Sequence, residues 1–175
     1  MKSPLLERLR TATRPLHTEL ERVTWGDKIM DGTLTSEQYL TLIDWQRRVH
    51  ETLEPTVADF TTARYRYRPR FPLGSGARSA GAMNGERAIG TLYVLEGASL
   101  GGSIIYRKLC ANPALSAHAP FPFYREQSEW GLQQWRSYVE LLHELQPTDE
   151  AIEQAVSGAE DAFRLFAREW RSQSA

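Results

Sequence analysis

The stretch Thr91–Tyr106, TLYVLEGASLGGSIIY, carries two signals that pull against each other. Leu92, Leu95, Ala98, Leu100, Ile104 and Ile105 have the apolar content of a buried helix. Gly97, Gly101 and Gly102 interrupt them, and each glycine costs about 1 kcal/mol relative to alanine inside a helix. Two arrangements can offset that cost. Small residues let two helices pack closely, or they let a helix backbone approach a flat ligand where any Cβ would collide. Gly97 and Gly101, four residues apart, share one helix face under either arrangement.

Outward from this stretch, the pattern is helical. Ser3 and Pro4 mark a helix start, and Leu5, Leu6, Leu9, Ala12, Leu16, Leu20 and Val23 recur at helical spacing, with Pro15 expected to bend the run. Thr35 and Gln38 have capping-box spacing ahead of a second helix running toward Phe60. Residues 61–85 hold five arginines, four glycines and two prolines and read as mostly loop. Helix resumes near Glu86, passes through the glycines and ends before Pro113. A proline-rich loop follows, and two amphipathic helices, about 127–146 and 149–172, finish the chain. No run of alternating β-branched residues suggests a strand. The expectation is an all-α, single-domain fold over residues 1–175, large enough for a substantial core.

Composition excludes several classes of function. The formal net charge of −1 gives no general attraction to nucleic acid or a membrane surface. The single cysteine, Cys110, rules out an intramolecular disulfide. The N-terminal segment lacks the apolar run of a signal peptide, and no segment reads as a membrane span. A cytoplasmic protein with neither nucleic-acid nor membrane partners is expected.

Among the four histidines, His17 stands in unusual company. Arg10 lies two helical turns earlier on the same face, and Glu21 follows one turn later, where side chains meet. A carboxylate that accepts from the second imidazole nitrogen is a common support for a metal-bound histidine. The same residues also read as surface ion pairs flanking a histidine.

LYVLEGASLGG, residues 92–102, resembles the distal-helix motif of bacterial heme oxygenases, and LRTATRPLHTELE, residues 9–21, resembles that family's proximal helix. The resemblance extends through AEDAFRLF near the C-terminus and is closest to the biliverdin-producing, bacteriophytochrome-associated type. It implies a helical bundle holding heme b, as cofactor and substrate, between a proximal helix and a kinked distal helix. By this resemblance His17 is the axial iron ligand and Glu21 its supporting carboxylate. Gly97 and Gly101 are the catalytic-face backbone over the heme, with Gly102 beside them. Arg10 pairs with a propionate and Tyr93 supports one. Arg136 reaches the heme edge, and Phe163 and Phe166 form apolar wall.

Mammalian-type members have an aspartate after the first distal glycine. Here Ala98 stands there, so a water network would rest on backbone groups, with Ser99 or Arg136 as contributors. The implied reaction cleaves heme with O2 and reducing equivalents to biliverdin, CO and Fe2+. Electrons would come from a ferredoxin, a flavoprotein reductase or ascorbate. The competing reading is a heme carrier or sensor of the same fold without turnover. A di-iron protein, which needs Glu-x-x-His-type ligands on facing helices, and a thiaminase-like enzyme using Cys110 share the architecture but find little support in the residues.

Overall fold

The structure, a computed structural model, describes residues 2–71 and 85–173. Helix α1 spans Pro4–Val23, with the Ser3 hydroxyl accepting from the amide of Leu6. It continues through Pro15. Trp25, in the left-handed region at φ 62°, turns the chain into the short α2, Gly26–Asp31. Helix α3 covers Ser36–Val57, and the Thr35–Gln38 capping box forms in both directions. Helices α4, Gly85–Leu100, and α5, Gly102–Ala111, are separated by Gly101 alone. A 3-10 turn at Pro113–His118 leads to α6, Pro122–Glu144, and α7, Asp149–Ser172, follows with Thr148 as its N-cap.

The all-α expectation holds. Among the described residues the one β-type pairing is an isolated bridge between Thr61 and Arg66. Three details differ from the sequence reading. Helix α2 was unforeseen, because six residues are too few to show a period. Helix α6 begins at Pro122, five residues early, since proline suits the first helical position and does not end the helix that follows it. The glycine-bearing segment is two helices. Much of the Arg- and Gly-rich region falls at residues 72–84, outside the described residues.

Glycine sets how closely the bundle packs. A Cβ at Gly90 would lie 1.7 Å from the carbonyl oxygen of Ala155, and one at Gly158 would lie 2.3 Å from that of Arg87. Helices α4 and α7 therefore cross backbone against backbone. Gly131 of α6 makes a similar seat, where a Cβ would stand 2.8 Å from the Ser99 carbonyl. Around these crossings Leu9, Leu92, Leu95, Val49, Tyr138 and Ala159 are fully enclosed.

Against expectation, Gly85–Ala111 contains an 18-residue window with a mean hydropathy of 1.3, apolar enough to cross a membrane by length and composition. Half of that window is buried within the bundle, and the helix breaks at Gly101. Its apolarity is used by the core.

Candidate functional site

A cleft of about 840 Å³ opens between α1 and the α4–α5 break, with α3, α6 and α7 closing its inner end. Its volume lies within the range of small-molecule and cofactor sites.

Helix α1 contributes a polar stripe. Arg10, Arg14, His17 and Glu21 succeed one another at three- and four-residue intervals, and all border the cleft. His17 Nε2 stands 3.2 Å from Glu21 Oε1, with 58% of the histidine side chain exposed. The pairing expected from sequence is present, but it engages Nε2. For Glu21 to hold the other nitrogen, the ring must turn, which an exposed imidazole does at little cost. The Phe163 ring meets His17 edge-on at 6.0 Å, and Phe166 lines the wall beyond it. Arg10 Nη1 lies 3.4 Å from Glu7, an exposed pair weak enough to yield to another carboxylate. Arg14, which the sequence reading passed over, borders the same mouth.

The opposite wall resolves the glycine question. Among the described residues, a Cβ at Gly97 would meet only Trp135, at 3.8 Å, and one at Gly101 only Ile105 and the Ala98 carbonyl, at 3.8 and 3.9 Å. All three distances are ordinary contacts, so no described helix packs tightly against these glycines; they leave bare backbone facing the cleft. Gly102 behaves differently. Its Cβ would stand 3.3 Å from Gln127 Cβ, so although it borders the cleft its smallness seats α5 against α6. Tyr93 lines the cleft with its ring 5.9 Å from Trp135.

Arg136 stands apart from the other residues of the site. It is exposed and does not border the cleft, whereas its neighbour Trp135 does. One residue is 100° of helix rotation, which separates wall from solvent. Ser99 is also turned away. It is buried, accepts from Arg70 Nη2 at 2.9 Å and lies 2.9 Å from Gln127 Oε1 as donor.

Behind the break lies a strut that the sequence did not reveal. The Arg70 guanidinium reaches Glu96 at 2.8 Å, Ser99, and the Leu95 carbonyl at 3.3 Å, with both charged side chains fully enclosed. Tyr65 donates to Glu96 as well. Glu54 in turn accepts from Tyr67 at 2.7 Å and from the Arg70 and Phe71 amides at 2.8 and 3.1 Å. Burial pushes the Glu54 carboxyl up from its usual range, and those hydrogen bonds pull against it. The segment after α3 is thereby fastened to the last turn of α4.

At the inner end stands His50, 2% exposed yet bordering the cleft. Phe71, Phe123 and Phe166 surround it at ring distances of 5.4, 5.5 and 6.1 Å. Burial pushes its pKa down to about 3, opposed by the Gln46 carbonyl and aided by the Arg70 charge.

The residues fit heme. An exposed imidazole backed by a carboxylate, arginines at the mouth, aromatic walls and two Cβ-free positions share one cleft. Among the described residues no cluster of three His, Cys, Asp or Glu side chains could hold a metal ion by itself, and Cys110 is exposed and away from the cleft lining. Neither the di-iron nor the cysteine-nucleophile reading gains from the structure.

Comparison with curated proteins gives no match, and comparison with solved structures gives none. A family model described as heme oxygenase matches residues 3–72 and 75–171, nearly the whole chain. The helical fold, the α1 stripe and the bare backbone at the α4–α5 break thus belong to one lineage: this chain is a member of the heme oxygenase family.

Proposed function

We propose that this protein is a heme-degrading enzyme, taking heme b as both cofactor and substrate and producing biliverdin, CO and Fe2+. The observation that carries the reading is that His17, with Glu21 beside it, shares one cleft with the Cβ-free backbone of Gly97 and Gly101. Bound heme supplies the redox chemistry with O2 and electrons from an external donor of the ferredoxin, flavoprotein or ascorbate kind.

The protein's own contribution is ligation, orientation and exclusion. His17 offers an imidazole from α1, and Glu21 fixes the ring by accepting from the nitrogen left over. Arg10 and Arg14 hold carboxylates at the mouth, which sets how the ring is rotated in its plane. Tyr93 and Trp135 bound one edge, and Phe163 and Phe166 exclude water from the other. Gly97 and Gly101 let the helix lie against the ring face. Ala98 places no acid there, so no strong proton donor projects from the break. The reading includes a cytoplasmic setting, in which Cys110 stays reduced.

The test is reconstitution with hemin followed by ascorbate under air. Biliverdin absorption replacing the Soret band supports turnover. A Soret band that persists unchanged makes the protein a heme carrier or sensor.

A further inference from the structure

The inner wall of the cleft is mostly apolar, with polar groups from two helices: Gln46 and His50 on α3, and Gln127 and the Tyr124 hydroxyl on α6. Of these, His50 and Gln127 are buried imidazole and amide side chains. No side chain of the break itself is free to order water: position 98 is alanine, Ser99 is committed to Arg70 and Gln127, and Arg136 faces solvent, which leaves backbone groups there.

The tautomer of His50 follows from its partner. Nδ1 lies 2.7 Å from the Gln46 carbonyl oxygen, which can only accept. Nδ1 therefore carries the hydrogen, and Nε2 carries a lone pair. Nε2 has no hydrogen-bond partner among the described residues. Nor is it among the fully enclosed unpartnered atoms, which are Arg48 Nε and Nη2, Arg70 Nε and Trp130 Nε1. An imidazole 2% exposed keeps that contact only through the cleft it borders. A buried lone pair without a partner is costly, and an ordered water is the usual remedy where a second polar group lies near. Gln127 borders the same cleft, one helical turn from the Phe123 that packs on His50; its Nε2 gives one hydrogen to the Phe123 carbonyl at 3.0 Å and has another to give.

We propose that His50 Nε2, with the Gln127 amide, anchors an ordered water at the inner end of the cleft, the polar site this chain uses where it has no carboxylate at position 98. His50 is a positioning residue, an acceptor fixed in one tautomer. Its three phenylalanine neighbours keep it neutral, so it holds a proton donor in place without donating one.

Two experiments decide this, and only the second rests on the heme-degrading reading. In the hemin-free protein, long-range 1H–15N correlation should show His50 as the Nδ1–H tautomer from pH 7 to pH 5. Its carbon-bound ring protons should show a water cross-peak that is absent for exposed His143. An Nε2–H tautomer or no water cross-peak overturns the proposal.

In the hemin-loaded protein, the acid–alkaline transition of the ferric spectrum reports on hydrogen bonding beside the iron. A pure acceptor favours the form with the proton to give. His50→Phe should therefore lower the midpoint by about one pH unit, a tenfold shift, and His50→Gln, which keeps an acceptor, by less. An unchanged midpoint in both variants overturns the proposal. If no Soret band forms, the functional reading fails instead, and the hemin-free measurement still decides the role of His50.

Discussion

The stripe on α1 divides its labour by chemistry. His17 is the one imidazole there, so His17→Ala should abolish turnover while hemin still partitions into the apolar cleft. The Soret position should change, and an unchanged Soret band with retained activity would move the ligand elsewhere. Arg10 acts at an exposed mouth, where a charge-assisted hydrogen bond contributes far less than in a core. Arg10→Ala should weaken hemin affinity tenfold or less. Because carboxylate grip and ring rotation are one rigid-body variable, it should also change the mixture of biliverdin isomers seen by chromatography. Arg10→Lys should fall between, keeping charge but losing the bidentate fork. A wild-type isomer pattern from Arg10→Ala would remove it from the site.

Helices α4 and α5 show one residue type serving two ends. Gly90 and Gly158 bring α4 onto α7, and Gly102 brings α5 onto α6; Gly97 and Gly101 face the cleft. Substitution should separate them. Gly90→Ala drives a Cβ into backbone and should cost about 3 kcal/mol or more, read as a drop in denaturant midpoint of the hemin-free protein. Gly101→Leu should leave that midpoint and the helicity nearly unchanged, since the space it fills is open, but should weaken hemin binding markedly. Equal hemin affinity in Gly101→Leu would return the break to a purely structural role. The break is held from behind by the enclosed Arg70–Glu96 pair. Removing one partner of such a pair strands the other, so Arg70→Leu should cost about 3–5 kcal/mol by urea denaturation.

Across the whole molecule, the buried imidazole of His50 makes stability depend on pH. Its folded pKa, about 3, lies below the ordinary 6.5. The unfolded chain therefore binds a proton that the folded chain refuses, and stability present above pH 6.5 is lost as pH falls toward 3. Between pH 7 and pH 5 the loss from this residue should be about 2 kcal/mol. Urea denaturation should show that difference in the wild type and little of it in His50→Phe. A parallel pH dependence in both would place the titrating group elsewhere.

Local signals fixed the helices, because caps and apolar periods act over neighbouring residues: Ser3, the Thr35–Gln38 box and Thr148 all perform as their spacing predicts. The same locality made the His17–Glu21 pair and the suspect glycines legible in the chain alone. What those glycines face was not legible. Gly90 and Gly102 look like Gly97 and Gly101 in sequence, and only the partner helix distinguishes a packed seat from an open one. Arg136 and Trp135 differ by one residue, and only the rotational setting of α6 decides which meets the cleft. Arg70 and His50 carry no local mark at all. Arg70 is tied to Glu96 and Ser99 of α4, and the rings enclosing His50 come from outside α3, so a guanidinium strut or a lone pair turned to a cavity exists only once long-range packing has excluded water from both.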